Sequence, residues 1–277
     1  HTLIEPERIQ EKLRTKGFVR RIVEEQYREQ LKLGGKKELS GLGLIYCHSI
    51  EQYVRQILEL DLTFAPFEYQ ESEKRHYTSF PLSSGERVYF GGIIDRVDKV
   101  GSRLRVVDYK TGSEETRMPK WDLLLDSKYK AILQTLIYCA FLAESGVPKD
   151  EIYPAIYMLR GDYGLMVKGK GYDPLVQLPT ETSGKASDAT ELPESPSPEH
   201  ASFLSEGNSA KGSGAKSPKK PKKPQTTLLS YAEAEAPFRE VFIHGVLDEL
   251  YDASTPFAQT PKEENCRYCP FALSCGR

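Results

Sequence analysis

The feature that most constrains the fold is a pair of β-branched segments separated by only two residues, Gly101 and Ser102. A two-residue link with glycine first is typical of a type II′ turn, so residues 91–112 are predicted to form an antiparallel β-hairpin. If the turn is centred on these two residues, Asp95 on the first strand faces Asp108 on the second. The pairing therefore brings two carboxylates together on one sheet.

Directly opposed residues have Cβ atoms about 5 Å apart, and side chains alternate between the faces of a strand. Lys110 is therefore expected on the same face as Asp95 and Asp108. Like charges placed opposite each other destabilise a sheet, and a divalent cation held between them removes that cost. Mg²⁺ prefers carboxylates together with waters and phosphate oxygens. The pattern predicts a metal site; an ordinary exposed hairpin is the alternative, because a slip of one residue would separate the aspartates.

The same residues resemble the signature of the PD-(D/E)XK nuclease superfamily in its RecB/AddB-type form. Residues 92–98 read G-I-I-D-R-V-D, and residues 107–112 read V-D-Y-K-T-G. A second motif of that branch, Q-x-x-x-Y, is matched by Gln134 and Tyr138 on the following predicted helix. The similarity runs from about residue 40 to the end, and the chain most resembles nuclease-family proteins of Bacteroidales-type bacteria.

The resemblance implies an α/β (α+β) fold with a restriction-endonuclease-like core, in which a central mixed sheet with an antiparallel active-site hairpin is flanked by helices. It also implies metal-dependent hydrolysis of DNA phosphodiester bonds, endo- or exonucleolytic, in repair or recombination. Asp95 and Asp108 are expected to hold Mg²⁺ or Mn²⁺, and Lys110 to orient or deprotonate the attacking water. Gln134 and Tyr138 are expected to support the site and touch the DNA backbone.

In this family an acidic residue on the preceding strand joins the metal site. Glu73 fits this role best by its position relative to Asp95. Glu71, two residues earlier and therefore expected on the same face of the strand, is the alternative. A solvent-facing acidic strand is the other interpretation of these two glutamates.

The C-terminal cysteines Cys266, Cys269 and Cys275 resemble the iron–sulfur staple of AddB-type nucleases. A C-x-x-C pair followed by a third cysteine can surround one metal centre, either a [4Fe–4S] cluster or zinc. The resemblance puts the fourth cluster ligand N-terminal to the nuclease core. We therefore expect that ligand upstream of residue 1, and we expect this chain to hold a cluster weakly or not at all. Cys139 lies inside the predicted helix of Gln134 and Tyr138 and is expected in the core, and Cys47 is available but matches the family position of that ligand poorly.

Composition divides the chain into four parts. We predict an N-terminal helical segment over 1–62, a nuclease core over 63–176, a disordered low-complexity insertion over 177–226, and a C-terminal helix with a Cys-rich tail over 227–277. The insertion consists mainly of Ser, Pro, Gly, Glu and Lys, which bury too little apolar surface to fold. Periodicity elsewhere predicts helices over 6–33 with a break at Gly17, over 42–60, 121–144 and 231–251, a strand over 64–80, and a hairpin over 152–168.

The net charge and the hydrophobic pattern of the whole chain limit which partners it can bind. The net charge is −2, so any surface that binds DNA must be local. No apolar run reaches membrane-spanning length and no signal-peptide pattern opens the chain, so we expect a cytoplasmic protein with no membrane partner. The phosphate-loop motif of helicases is absent from the sequence. A helicase partner is therefore expected to be a separate subunit or an upstream region.

A non-catalytic scaffold is the competing interpretation of the same sequence. Such a protein would have a nuclease-like fold and would bind DNA or a helicase partner in DNA repair without cutting. The basis for this alternative is a missing feature: many RecB-type nucleases carry a histidine in a G-x-x-x-H setting before the first acidic residue. Gly43 and His48 are the nearest match, and their spacing is wrong.

Overall fold

A five-stranded mixed sheet forms the centre of the computed structural model, which describes residues 1–33, 39–159, 174–180, 226–261 and 263–277. In spatial order the strands are β1 (Thr2–Ile4), β2 (Phe67–Pro81), β3 (Arg87–Val100), β4 (Arg103–Lys110) and β5 (Ile152–Met158). The first four pair antiparallel, and β5 runs parallel to β4. The fold class predicted from the sequence is confirmed.

Helices cover both faces of the sheet. They are α1 (Pro6–Arg14), α2 (Phe18–Gln30), α3 (Gly41–Phe64), α4 (Lys130–Glu144) and α5 (Tyr231–Phe238), which continues through a π-helical stretch (Arg239–Leu247) into α6 (Asp248–Tyr251). α4 and α5 pack on one face, and α3 packs on the other. α4 also lies in the crossover between β4 and β5, which two parallel strands require.

The central strand β4 is buried on both of its faces. On the α4 face, Val106 packs in one core with Leu136 of α4 and Phe238 of α5. On the α3 face, Val107 packs in a second core with Leu60 of α3. A strand covered on both sides carries apolar residues at consecutive positions, and the sequence of β4 does so.

The hairpin of β3 and β4 has the predicted register. Val97 pairs with Val106, and Gly101 and Ser102 form the link between the strands. Gly101 has a φ of 59°, whereas Ser102 has a negative φ, as a type II′ turn requires. The local turn chemistry therefore fixes the pairing of these two strands.

β3 separates from β4 at Asp95. The last pair of the β3–β4 ladder is Arg96 with Val107, although β3 extends back to Arg87. The backbone N–H of Tyr109 donates instead to Asp95 Oδ2, at 2.8 Å. Asp95 therefore lies at the fork between the two strands, where its carboxylate reaches the end of β4.

The alternation of faces breaks in both β2 and β3 at the level of Asp95. Ile94 is buried on the α4 face, whereas Arg96, two residues on, donates to Asp61 of α3 on the other face. On β2, Glu73 has a φ of 50°, a left-handed conformation that is uncommon for residues other than glycine. Regular pairs lie directly on either side of Glu73 and Asp95, and the ladder shifts register once more, between Tyr69 and Glu71.

The N-terminal part contributes more to the sheet than helical periodicity indicated. The predicted helices over 6–33 and 42–60 are confirmed as α1, α2 and α3. β1 was not predicted, because three residues are too few to show an alternating pattern. It pairs with the start of β2, so residues 1–62 supply both an edge strand and a covering helix.

Two elements after the hairpin differ from the prediction. α4 begins at Lys130 rather than at Trp121, and the residues before it form the short 3₁₀ turns Trp121–Leu123 and Ser127–Tyr129. The first half of the predicted hairpin over 152–168 is confirmed as the strand β5, but it pairs in parallel with β4. The second half of that hairpin lies outside the described residues.

The predicted insertion is bounded by two short strands. β6 (Gln177–Pro179) pairs antiparallel with β7 (Thr226–Leu228), so both ends of the segment assigned to disorder are ordered. Residues 181–225 lie outside the described residues. The predicted helix over 231–251 is confirmed; it begins after Ser230, whose side chain forms a capping box with Glu233.

Candidate active site

Two strands bring Asp95, Asp108 and Lys110 to one place at the fork. Asp108 and Lys110 alternate with Tyr109 on β4, so both side chains lie on the α4 face. Asp108 is 1% exposed, and its Oδ2 atom lies 2.7 Å from Lys110 Nζ. Asp95 reaches the same end of β4 through the bond that it accepts from the Tyr109 N–H. An ammonium group and two carboxylates therefore converge at the C-terminal end of β4.

Helix α4 holds Lys110 from the opposite side. Lys110 Nζ donates to Gln134 Oε1 at 2.8 Å, and Gln134 Nε2 donates to Tyr138 Oη at 2.7 Å. Because an ammonium group can only donate, the carbonyl of the Gln134 amide must face Lys110 and its NH₂ must face Tyr138. The i, i+4 spacing puts both residues on one helix face, so one chain of hydrogen bonds links β4 to α4.

The approach of α4 to β3 depends on Gly92. A Cβ atom at this position would lie 3.1 Å from the ring of Tyr138 and 3.0 Å from the ring of Phe141. These distances are shorter than ordinary contacts between carbon atoms. Glycine in the 92–98 motif therefore provides the space in which Tyr138 closes the site.

Burial raises the pKa of the Asp108 carboxyl to about 6. The nearby Lys110 ammonium lowers this pKa, and the negative charges of Asp95 and Glu114 raise it. In the absence of a cation, Asp108 therefore loses its proton at a higher pH than an ordinary aspartate. The carboxylate is held in an environment where its charge is only partly compensated.

The donor set of this site fits a divalent cation such as Mg²⁺. Asp108 Oδ2 is buried and has no partner of good hydrogen-bond geometry in the described part of the chain. Asp95 uses Oδ2 to bind the Tyr109 N–H, and no described residue donates to its Oδ1. Two carboxylates with spare oxygens are the hard donors that Mg²⁺ takes alongside waters and phosphate oxygens. The described residues contain no group of three or more His, Cys, Asp and Glu side chains placed to hold a metal.

The two glutamates of β2 have different surroundings. Glu73 is exposed and lies at the level of Asp95, but it does not form a three-carboxylate cluster with Asp95 and Asp108. Glu71 accepts from Lys74 Nζ at 2.6 Å, and its other oxygen lies 2.6 Å from His76 Nε2. Glu73 as a third metal ligand stays a prediction.

Sequence reasoning missed Glu114, which lies in the loop after β4. Its carboxylate is close enough to raise the pKa of Asp108, and it lies 3.5 Å from Lys130 Nζ at the start of α4. The signal available in the sequence was its position just after the V-D-Y-K-T-G motif. Glu114 is a second acidic neighbour of Asp108.

A buried ionic network supports the hairpin from the α3 face, and sequence reasoning also missed it. Arg96 donates to Asp61 Oδ2 at 2.7 Å and lies 2.5 Å from Asp98 Oδ2. Arg105 donates to both oxygens of Asp98, at 2.6 and 2.9 Å. Arg96 also donates to Tyr109 Oη at 3.3 Å. Tyr109 is thus held at its backbone by the carboxylate of Asp95 and at its hydroxyl by this network.

The three cysteines of the tail do not meet in a cluster within the described structure. Cys266 and Cys269 are half-buried and Cys275 is exposed. Cys139 and Cys47 are buried in separate cores, and burial raises the pKa of both thiols. Neither buried thiol is suited to supply a thiolate ligand to the tail.

The fold and the site define a nuclease of the PD-(D/E)XK class. A model of the PD-(D/E)XK nuclease superfamily matches residues 2–276, and the chain belongs to this superfamily. The chain is also similar to the B subunit of the ATP-dependent helicase/deoxyribonuclease of Clostridium tetani (strain Massachusetts / E88), with 37% identity over 83 residues. That match covers 28% of this chain and only 7% of the clostridial protein.

In the described part of the chain, no helix is long and apolar enough to span a membrane.

Proposed function

We propose that the protein is a Mg²⁺- or Mn²⁺-dependent deoxyribonuclease that hydrolyses phosphodiester bonds in DNA repair or recombination. The observation that carries this proposal is the convergence of Asp95, Asp108 and Lys110 at the fork, with Lys110 held by Gln134. Membership of a nuclease superfamily supports the reaction class. Two carboxylates that can bind a divalent cation, beside an ammonium group, also suit metal-dependent hydrolysis of a phosphodiester.

Asp95 and Asp108 are the residues that would hold the cation. Asp95 would use Oδ1, which no described residue binds, and Asp108 would use Oδ2, which also contacts Lys110. A bound Mg²⁺ or Mn²⁺ supplies a water of lowered pKa and stabilises negative charge on the phosphate. Asp108 must be ionised to serve as a ligand, so its raised pKa makes binding dependent on pH. We include Glu73 as a further ligand on the strength of the family resemblance alone.

Lys110 acts on the attacking water and the scissile phosphate. Its ammonium has three N–H groups, and its contacts with Asp108 and Gln134 use two of them. The third N–H is available to a water or to a phosphate oxygen. Gln134 accepts a hydrogen bond from Lys110, and Tyr138 accepts one from Gln134. These two residues therefore fix the position of the ammonium.

The clostridial relative supports a partner as well as a substrate. Its name describes one subunit of a helicase/deoxyribonuclease, so we propose that this protein acts on DNA opened by a helicase partner or region. We also propose that Cys266, Cys269 and Cys275 contribute to a [4Fe–4S] cluster, or to a zinc site, completed by a ligand outside the described residues. Iron and zinc analysis of a longer chain that includes the upstream ligand, purified without oxygen, tests this second point, and the absence of both metals from that longer chain would contradict it.

The cleavage of labelled DNA tests the nuclease proposal. We expect wild-type protein to cut DNA in Mg²⁺ and to lose this activity in a chelator. Asp108→Asn and Lys110→Ala should lose cleavage but keep the fold, because both residues act on charge in the transition state and not on packing. Lys16→Ala, which changes an exposed lysine between α1 and α2, is the matched control for lysine loss. DNA binding without cleavage by any form would favour the non-catalytic scaffold.

A further inference from the structure

One face of the β2–β3 hairpin is open and carries tyrosines and arginines. Beyond the fork, Thr78 and Phe80 of β2 point to the α4 face and are buried. The alternate residues point to the opposite face, where Tyr77 is 68% exposed and Tyr89 is 80% exposed. No described residue covers these rings. Large aromatic side chains left this open on a sheet indicate a surface with a partner.

The two rings are neighbours held in defined positions. Tyr77 pairs with Gly91, and Tyr89 lies two residues before Gly91 on β3, so the rings are diagonal neighbours across the two strands. The Tyr77 ring lies over Gly91, because a Cβ atom there would be 2.8 Å from two ring carbons. One side of the Tyr77 ring is therefore packed on the backbone, and the other side faces solvent.

Arginines flank the tyrosines on the same face. Arg75 pairs with Ile93 at the end nearer the fork, and Arg87 pairs with Pro81 at the far end. Ser79 fixes the Arg87 guanidinium by accepting from Nε at 2.9 Å and from Nη2 at 2.7 Å. Neither arginine forms an ion pair with a carboxylate of the described residues.

Acidic residues lie only at the two ends of this face. Glu73 lies at the level of the fork, and Glu86 lies in the connection between β2 and β3. Between them the paired residues of this face are neutral or basic. On a chain of net charge −2, such a face is a local site for an anionic partner.

The open face leads to the carboxylates of the fork. Gly91 lies four residues before Asp95 on the same strand, so the Tyr77 ring is about 14 Å from Asp95 along β3. β3 has no pairing with β4 in this stretch, so the fork is open between the two strands. Asp108 and Lys110 lie on the α4 face, so a polymer lying on the tyrosines reaches them by passing between the separated strands.

We infer that this face binds a single-stranded segment of the nucleic acid that the fork cleaves, and this inference rests on the proposed nuclease function. Unpaired bases stack on Tyr77 and Tyr89, and the guanidinium groups of Arg75 and Arg87 contact the phosphates. A duplex cannot use the rings in this way, because its bases are already stacked and paired. The face therefore selects single strands over duplex.

Equilibrium binding without cleavage tests this inference independently of catalysis. A fluorescent oligothymidylate and a blunt duplex of equal length are titrated in a chelator, with anisotropy as the readout. We expect Tyr77→Ala and Tyr89→Ala each to weaken binding of the single strand about tenfold. Tyr77→Phe keeps the stacking surface and should bind like wild type. Tyr46→Ala removes an exposed tyrosine on α3 and is the matched control.

The salt dependence of binding separates the arginines from the tyrosines. Each of Arg75→Ala and Arg87→Ala should reduce the slope of log K against log salt by about 0.7, whereas the tyrosine variants should leave the slope unchanged. Circular dichroism of each variant controls for folding. Unchanged binding in both tyrosine variants would overturn the inference, and so would an equal loss of duplex and single-strand binding.

Cleavage assays show which of the two proposals fails. If Asp108→Asn stops cleavage but the tyrosine variants bind and cut like wild type, the proposed single-strand binding by the open face is wrong and the nuclease proposal is supported. If no form cuts DNA but the tyrosine variants lose single-strand binding, the proposed binding by the open face is supported and the nuclease proposal is wrong. The binding assay contains no metal, so neither result depends on the other.

Discussion

At the scale of single residues, the buried carboxyl of Asp108 links stability to pH. Its pKa is raised to about 6, so between its ordinary pKa and this value the folded chain binds a proton that the unfolded chain releases. Stability from this group is therefore greatest at low pH and falls as the pH rises through this window. Above about pH 6, the charged Asp108 lowers the free energy of unfolding unless a cation is bound.

Asp108→Asn should accordingly stabilise the metal-free protein at pH 7.5, by roughly 1–3 kcal/mol. The difference should disappear at pH 4, where Asp108 of the wild type is protonated. Urea unfolding at the two pH values measures both effects, and Asp150→Asn, at an exposed site, is the control. Added Mg²⁺ should stabilise only the wild type. A less stable Asp108→Asn variant at neutral pH would contradict the assignment of an uncompensated charge.

Gln134 offers a second test at residue scale. Gln134→Leu keeps the size of the side chain but removes the acceptor for Lys110, so the ammonium loses its fixed position. We expect the cleavage rate to fall by about tenfold or more while the thermal midpoint changes little. Gln134→Glu retains a carbonyl-type oxygen toward Lys110 and should keep most of the activity. Equal rates for Gln134→Leu and wild type would show that the amide has no positioning role.

At the scale of elements, the ionic network holds the hairpin against α3. Arg96, Arg105, Asp61 and Asp98 balance each other's charge, and all four are at least nine-tenths buried. Removing one partner of a buried pair leaves an uncompensated charge, which costs far more than the pair contributes when intact. The network also fixes Tyr109, and so the segment of β4 that carries Asp108 and Lys110.

Arg96→Met should therefore destabilise the protein by about 3–5 kcal/mol. Arg21→Met changes an exposed arginine of α2 and should stay within about 0.5 kcal/mol of wild type. Chemical denaturation of the two variants gives the comparison. Tyr109→Phe should lose only about 1 kcal/mol, since it removes one hydrogen bond and no charge. A small effect of Arg96→Met would mean that water reaches the network.

At the scale of the whole molecule, the C-terminal helix completes the core that begins at the hairpin. Phe238 of α5 is fully buried and contacts Phe80 of β2 and Phe242 of the π-helical stretch, with ring centroids 6.3 and 5.5 Å apart. Ser83 adds a polar link, because its N–H and hydroxyl both donate to Asp248 of α6. Residues 229–247 are therefore part of the core and not an appended segment.

Phe238→Ala should lower the free energy of unfolding by about 3–5 kcal/mol, because it opens a cavity between β2, α4 and α5. The exposed Phe257 supplies the control, and Phe257→Ala should have almost no effect. A single cooperative transition is expected in both variants by thermal unfolding. Separate melting of a C-terminal unit in Phe238→Ala would contradict a shared core.

The sequence by itself determined the hairpin and the class of protein. The register follows from Gly101 and Ser102 and from the alternation on either side, which are local, and the motif residues lie on these strands. Gln134 and Tyr138 were also visible, because their spacing defines one face of a helix. Local chemistry was sufficient wherever the partners are close along the chain.

Only the tertiary structure decided how these residues meet. The fork at Asp95 depends on a break in alternation shared by two strands, and the left-handed Glu73 has no signal in the sequence. The pairing of Arg96 with Asp61 joins residues 35 positions apart, and the bond from Lys110 to Gln134 joins residues 24 apart. Such contacts depend on how α3 and α4 pack on the two faces of the sheet, and no local pattern encodes that packing.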